Sequence, residues 1–196
     1  MLDGVGLRVF EPREKARANG QKMPEALCAF FQRCGYVEVS ASDYKNKRNL
    51  PVFGFVHGVK FQDYTGRTRK SGIVLCNREI NKTIRVWCRY QEVSGSVDEK
   101  LPDLLHCVGC FPEDEVVFIV DGKGAQNRIV DWLKEEVSRR AGPEGNTHVW
   151  ELREFLEFFC DIHHIRCNLP QELDAILQFA GCTNVLPGQE SFFDAL

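Results

Sequence analysis

The apolar run EVVFIVDG, at residues 115–122, constrains the fold of this chain more than any other segment. Successive side chains of a β-strand point to opposite faces, so an uninterrupted apolar run predicts a strand that is buried on both faces. Such a strand needs a covering layer on each side of its sheet. The run therefore predicts an α/β fold with this strand in the middle of the sheet.

Predicted helices and strands on either side of the run complete this architecture. Their chain order is helix, antiparallel β-meander, and then strand–helix–strand–helix, which predicts a mixed central β-sheet flanked by helices. The predicted helices lie at 12–19, 23–35, 96–108 and 125–142, within 147–164 and at 169–181. The predicted strands lie at 36–40, 50–61, 72–76, 83–91 and 115–122, and a short strand begins the segment 147–164. A basic turn is predicted at 63–70.

Composition limits the domain count and the function classes. The chain has 196 residues, enough for one domain with a small appendage, and its 43% hydrophobic content suffices for an ordinary core. A formal net charge of −3 gives no overall basic signature for nucleic acid, although KNKR (45–48) and RTRK (67–70) are locally basic. Such runs are also typical of solvated loop tips.

The sequence predicts a cytoplasmic location and no membrane partner. No segment approaches the roughly 18 apolar residues that span a bilayer, and the first residues lack the apolar stretch of a signal peptide. The nine cysteines are odd in number and lie mostly within apolar patterns. Cysteines used in this way are typical of a reducing compartment.

Three blocks of the sequence resemble a known enzyme family. They are CRYQEVSGSVDEKLPDLL (88–105), PEDEVVFIVDGKG (112–124) and VDWLKEE (130–136). Together they resemble a bacterial branch of the PD-(D/E)XK nuclease superfamily, which has the restriction-endonuclease-like fold. The resemblance covers about 22–158, and it implies a nuclease-like domain over 1–168 followed by a C-terminal helix and tail at 169–196.

The resemblance implies where a catalytic site would lie. In that family a carboxylate near the start of one hairpin strand and an E-x-K or D-x-K motif on the next strand bind Mg²⁺, which activates water to attack a phosphodiester. The resemblance assigns Trp87 and Arg89 to the E-x-K positions and Gly72 to the first carboxylate position. Gln91 matches the family's glutamine after the lysine. The catalytic motif is therefore expected to be degenerate.

The expected hairpin register agrees with this assignment. With residues 77–82 as the loop, Cys76 pairs with Thr83, and Gly72 then lies directly across from Trp87. Opposite Cβ atoms are about 4.5–5.5 Å apart, close enough for two carboxylates to share a metal ion. A tryptophan that covers a cross-strand glycine is a known packing arrangement. We therefore expect a packing pair where the family has a metal-binding pair.

Other acidic residues offer a relocated site. Glu25 is one candidate, because a glutamate of the first helix joins the metal site in some members of the superfamily. Asp121 and Lys123 are another, because open α/β sheets bind ligands where a strand ends and a helix begins, although a tight turn explains them equally. The literal match of LPD and VDGKG to the family's written motif is interpreted as coincidence, because Asp103 lies in a predicted helix. Further candidate acids are Asp63, Glu92 and Asp98.

A local group of basic residues predicts contact with nucleic acid. The group lies on the polar face of the strand at 83–91 and before the strand at 72–76, and it would bind a phosphate backbone in a salt-sensitive way. Its members are Arg67, Arg69, Lys70, Arg85 and Arg89.

The spacing of cysteine and histidine leaves a zinc site as an alternative. Cys107 and Cys110 form one ligand pair, and Cys160 with His163 forms a second pair further along the chain, so the four could complete a tetrahedron. Cys160 and His163 also continue the apolar stripe of one predicted helix, which indicates an ordinary core edge.

These observations lead to one expected function and two alternatives. We expect a DNA-binding pseudo-nuclease that has lost its catalytic carboxylates and needs no cofactor. It would act as a subunit of a larger nucleic-acid-processing or defence complex, with another protein subunit or a second copy of the chain as partner. The first alternative is an active Mg²⁺-dependent DNA endonuclease of the restriction type with relocated acids. The second is a protein-interaction module that binds no nucleic acid.

Overall fold

The computed structural model describes residues 12–47, 50–70, 72–90, 101–122, 127–141, 145–162 and 169–180. Helices and strands alternate along most of this length. In chain order they are α1 (Pro12–Arg33), β1 (Val37–Glu38), α2 (Ala41–Asn46), β2 (Phe53–His57), β3 (Lys60–Gln62), β4 (Thr68–Lys70), β5 (Ile73–Asn77), β6 (Lys82–Tyr90), α3 (Leu101–Cys107), β7 (Glu115–Asp121), α4 (Asn127–Ala141), β8 (Thr147–Trp150), α5 (Leu152–Ile162) and α6 (Leu169–Phe179).

The main sheet has six strands in the order β1-β2-β5-β6-β7-β8, and β3 pairs with β4 in a separate two-stranded sheet. Strands β2, β5 and β6 are antiparallel neighbours, whereas β6, β7 and β8 are parallel. The predicted α/β class, with a mixed central sheet and flanking helices, is confirmed. No helix within the described ranges is long and apolar enough to cross a membrane.

Two of the three apolar cores in the described residues pack on the two faces of β7, as the run at 115–122 predicts. Val117 and Ile119 of β7 belong to the first core, which α1, α5 and α6 complete with residues such as Leu27, Phe155 and Ile176. Val116, Phe118 and Val120 belong to the second core, which also includes Leu105 of α3 and Leu133 of α4. Strand β7 is therefore buried on both faces between β6 and β8.

The hairpin β5–β6 has the expected register. Cys76 lies opposite Thr83, and Ile73 lies opposite Val86. Along β6, Ile84, Val86 and Cys88 face the first core, and Trp87 faces the second core. The alternation read from the sequence is therefore correct for this strand.

The first helix is longer than predicted. We expected a short helix at 12–19 and a second from residue 23, with Pro24 in its first turn, but α1 runs through both and contains Pro24 in its interior. A proline there removes one backbone hydrogen bond. Burial of Met23, Ala26 and Leu27 in the first core favours a continuous helix despite this local cost.

The strand predicted at 50–61 is two strands in different sheets. The chain turns at Gly58, whose φ is 65°, and the Gly58 N–H donates to the Gly72 carbonyl at 2.7 Å. This turn directs β3 out of the main sheet, where it pairs with β4. The segment interpreted as a basic turn at 63–70 therefore forms the turn and the second strand of a β-hairpin. Local sequence patterns did not predict that this strand pairs with β3.

Candidate functional site

The assigned catalytic positions lie at one edge of the main sheet. Trp87 and Arg89 are near the end of β6, Gly72 comes directly before β5, and Asp121 ends β7. The register places Trp87 beside Phe118, and Arg89 beside a valine of β7. The separate hairpin β3–β4 packs on Trp87 through Phe61. Helix α3 joins the same core through Leu105.

Trp87 is a core residue. Only 7% of its surface is exposed, and its indole packs against three phenylalanine rings whose centroids lie 5.8–6.1 Å away. An indole has one N–H donor and no atom that binds a divalent cation. The position that the family resemblance assigns to a carboxylate therefore contributes to apolar packing. The three rings belong to Phe61, Phe111 and Phe118.

Gly72 cannot accept a side chain without a backbone shift. Its φ is 72°, and a Cβ atom built on it would lie 2.7 Å from the carbonyl oxygen of Val86. The other nearest atoms are the Val86 carbonyl carbon and Cγ of Arg85. A side chain at position 72 would therefore meet the Val86 backbone first, and the expected contact between Trp87 and Gly72 stays a prediction.

Arg89 lies over Trp87 at the same edge. Its guanidinium carbon is 5.4 Å from the centroid of the indole ring, within the range of a cation–π contact. Burial lowers the pKa of this guanidinium, while the negative charge of Asp103 acts in the opposite direction. Arginine stays protonated at neutral pH even so, and Arg89 is therefore a half-buried cation.

Arg85 is buried, which contradicts our prediction that it contacts DNA. Its side chain is 1% exposed, and its Nε and Nη2 atoms each donate at 2.8 Å to the buried carboxylate of Glu113. The guanidinium also lies 5.0 Å from the Phe111 ring centroid and 5.3 Å from that of Phe61. Tyr44 donates a further hydrogen bond to Glu113 at 3.2 Å. Arg85 is thus a structural cation of the second core.

Asp63 is fully engaged in holding the turn between β3 and β4. It accepts hydrogen bonds from the backbone N–H and hydroxyl of Thr65, from the Arg67 N–H, and from Nε of Arg69, at 2.6–3.0 Å. The Thr65 hydroxyl is the main cause that lowers the pKa of this carboxyl. Three of these donors reach Oδ1, and Arg69 reaches Oδ2. Asp63 is therefore committed to the turn and to its ion pair with Arg69.

Arg69 connects the hairpin to helix α3. Besides Asp63, it contacts Asp103, with 2.7 Å between Nη1 and the carboxylate oxygen. Asp103 lies in α3, as the sequence predicted, so its match to the family's written motif has no strand context. We predicted from the sequence that Arg69 contacts DNA, and no sequence pattern indicated this bridge. The turn residues Asp-Tyr-Thr-Gly were a usable signal for the Asp63 turn.

The described candidates for a relocated metal site lie on separate elements of the fold. Glu25 is exposed on α1, which packs on the first core, across the sheet from Trp87. Asp121 accepts from the Gly122 N–H at 2.5 Å and from the Leu152 N–H at 3.0 Å, so it caps the start of α5. Gln91, Lys123, Glu92 and Asp98 lie outside the described residues. In the part of the chain that is described, no three His, Cys, Asp or Glu residues could hold a metal ion together.

The zinc ligands proposed from the sequence fall on opposite faces of the sheet. Cys107 is buried in the second core, where burial raises the pKa of its thiol to about 11, and Cys160 is buried in the first core. A cysteine has to be a thiolate to bind zinc, whereas Cys160 is disulfide-bonded, an exception to the reduced state expected for the cysteines. The Sγ atom of half-buried Cys110 lies 3.6 Å from the His106 carbonyl. His163 is outside the described residues.

The other basic residues predicted to contact DNA differ in accessibility. Arg67 and Lys70 are exposed, Arg69 is partly exposed and ion-paired, and Arg89 is partly buried. Only the first two therefore present a charge to solvent that no described acid compensates.

Comparison with known proteins adds one family match. A family model described as the PD-(D/E)XK nuclease superfamily domain matches residues 15–161, most of the chain. No curated protein and no solved structure gives a significant match.

Proposed function

We propose that this chain, which belongs to the PD-(D/E)XK nuclease superfamily, is a DNA-binding pseudo-nuclease that acts as a subunit of a larger nucleic-acid-processing or defence complex. One observation carries the proposal. The position assigned to the metal-binding glutamate holds Trp87, which is buried among phenylalanine rings. A fold that keeps its architecture but fills its catalytic position with packing atoms is suited to binding rather than to hydrolysis.

The residues at the assigned positions do not fit a magnesium ion. Mg²⁺ needs oxygen ligands in a compact octahedral arrangement. Here the glutamate position is an indole, the lysine position is Arg89 stacked on that indole, and position 72 has no room for a side chain. The carboxylate of Asp63 already accepts four hydrogen bonds and is ion-paired with Arg69. We therefore derive no hydrolytic step through a metal ion.

The exposed cations support DNA as the ligand. Arg67 and Lys70 lie on the hairpin that packs against Trp87, and Lys60 is exposed beside them on β3. Each phosphate contact by such a residue releases a counterion, so binding would weaken steeply with salt. A protein partner, either another subunit or a second copy of this chain, would supply any cutting activity of the complex.

A nuclease assay tests the loss of catalysis. Wild-type protein incubated with plasmid and oligonucleotide DNA should cut neither substrate with Mg²⁺ or Mn²⁺. Robust cutting that Glu25→Ala or Asp121→Asn abolishes would establish a relocated site and overturn the proposal. The asparagine at 121 keeps an oxygen acceptor for the Leu152 N–H, so lost cutting would not simply reflect a lost helix cap.

A salt series of DNA binding tests the other half of the proposal. The expected result is binding at low salt with a logarithmic slope that Arg67→Ala reduces by about one unit. The double variant Arg85→Met/Glu113→Leu should leave the slope unchanged, since both residues are buried. An absence of DNA binding at any salt concentration would instead favour a protein-interaction module.

A further inference from the structure

The two-stranded hairpin has one entirely polar face. Lys60 lies opposite Lys70, and Gln62 lies opposite Thr68. Because side chains alternate along a strand, these four share one face, and all four are exposed. We call them the outer hairpin face.

The opposite face of the hairpin fastens it to the domain. The ring of Phe61 lies 4.7 Å from that of Phe111 in the second core. Arg69, directly across from Phe61, is held by Asp63 and Asp103. The outer hairpin face is therefore presented on a fixed support, and little ordering is needed when a ligand binds.

The charges on the outer hairpin face repel one another. Lys60 and Lys70 are direct cross-strand neighbours, and like charges in that position are destabilising. Among the described residues, no acid forms an ion pair with either lysine. Arg67 at the hairpin turn adds a third exposed cation. A polyanion bound here would relieve this repulsion.

We infer that the outer hairpin face binds duplex DNA by entering the major groove, an inference that rests on the proposed function. The major groove is about 12 Å wide and admits a two-stranded β-ribbon. In that position Lys60 and Lys70 reach the phosphates on either side. Gln62 and Thr68, nearer the tip, present an amide and a hydroxyl to the base edges, which are groups that can read adenine and thymine.

The first test separates the lysines from other surface charges. Full-length wild type, Lys60→Gln and Lys70→Gln are titrated with a short mixed-sequence duplex across a salt series, with Lys45→Gln, an exposed lysine of α2, as the matched control. Each hairpin substitution should reduce the slope of log K against log salt by about one unit. The control should bind like the wild type.

The second test separates the major groove from the backbone. The probe is the same duplex with every cytosine replaced by glucosylated 5-hydroxymethylcytosine, which fills the major groove and leaves the phosphates unchanged. Wild-type affinity should fall at least about tenfold, the size of one lost base contact. Selection from a random-sequence duplex pool should enrich a sequence for wild type, and the Gln62→Ala/Thr68→Ala variant should lose that enrichment.

Several results would overturn the inference. Equal affinity for plain and glucosylated duplex excludes the major groove, and hairpin variants with the wild-type slope exclude the lysines. Binding of poly-glutamate that is as strong and as sensitive to Lys60→Gln as duplex binding would indicate an acidic protein partner instead. In these cases wild-type DNA binding can persist, and the proposed function survives. Failure of the proposed function is distinct, because wild type would then bind no DNA at low salt.

Discussion

Arg85 and the two hairpin lysines look alike in the sequence, as basic residues of strands, and differ completely in the fold. Arg85, on β6, lies within the second core and donates both hydrogen bonds to Glu113. Lys60 and Lys70, on the hairpin, are exposed and face each other. Arg85 neutralises the buried charge of Glu113, so the fold depends on the pair being complete. The two facing lysines weaken the fold slightly and leave their charge available to a ligand. Burial rather than residue type therefore decides which cations could contact DNA.

The largest expected effect comes from breaking the buried pair. Arg85→Met leaves Glu113 as an unpaired buried charge, so we expect the free energy of unfolding to fall by about 3–5 kcal/mol. Urea denaturation measures this change. The double variant Arg85→Met/Glu113→Leu should recover most of the loss, because replacing a whole buried pair with apolar residues is often neutral. A single-variant loss below about 1 kcal/mol would show that Arg85 behaves like an ordinary surface cation.

Local patterns predicted the strand on which Arg85 lies but not its burial. The alternation along β6, the hairpin register and the doubly buried β7 follow from side-chain periodicity, which is a property of neighbours in sequence. The partner of Arg85 lies 28 residues away in sequence, ahead of β7. A contact of that kind depends on tertiary pairing, and no local pattern encodes it.

The hairpin β3–β4 was missed for the same physical reason. Its strands are short, and Phe61 and Arg69 are the one pair that points inward. A strand of this length is too short for the alternation of apolar and polar residues to be recognised in the sequence. Its base depends on Gly58 donating to Gly72, which is again a contact between distant residues. The assignment of Trp87 to a catalytic position needed the family resemblance, whereas its burial needed the structure.

The second prediction compares two glycines, one at each end of the hairpin region. Gly66 and Gly72 have similar φ values, 78° and 72°, but a Cβ at Gly66 meets nothing within 4 Å, whereas one at Gly72 meets the Val86 carbonyl. Gly66→Ala should cost about 1–2 kcal/mol, the cost of a left-handed non-glycine residue. Gly72→Ala should cost about 1–3 kcal/mol more, because the backbone has to shift.

Urea denaturation of both variants checks this difference. Equal losses would mean that position 72 can hold a side chain after all, and the first carboxylate position would then be open. In that case Gly72→Asp/Trp87→Glu becomes a fair test of metal binding. We expect instead that Mg²⁺ gives this double variant no rise in melting temperature, since a metal that bound the folded state would stabilise it.

The third prediction concerns acid stability at the hairpin turn. Hydrogen bonds, chiefly from Thr65, lower the pKa of Asp63 in the folded state. A carboxyl with a lowered folded pKa contributes stability that is fully present above the unfolded value, about pH 4, and is lost as pH falls further. Asp63→Asn removes this contribution, so wild type should lose more stability than the variant between neutral pH and pH 3, about one unit below that unfolded value.

Two threonine variants serve as a matched pair for this prediction. Thr65→Val removes the hydroxyl donor to Asp63 and should reduce the acid sensitivity of stability, whereas Thr68→Val, on the outer hairpin face, should not. Urea midpoints at neutral and acidic pH give the comparison. An identical pH dependence for wild type and Asp63→Asn would show that the turn does not depend on an ionised Asp63, and the fixed support of the outer hairpin face would be in doubt.

The smallest expected effect has the opposite sign and bears most directly on function. Lys60→Gln removes one of two facing cations, so the free energy of unfolding should rise by about 0.2–1 kcal/mol at low salt. The gain should vanish near 1 M salt, where the screening length is about 3 Å. Lys45→Gln, which has no facing lysine in the described fold, should show no such gain. A rise in stability together with weaker DNA binding would show that the fold keeps Lys60 at the expense of stability, as expected for a residue retained for its ligand. A loss of stability would mean that the outer hairpin face holds its charge for structural reasons, and Lys60 would then belong with Arg85.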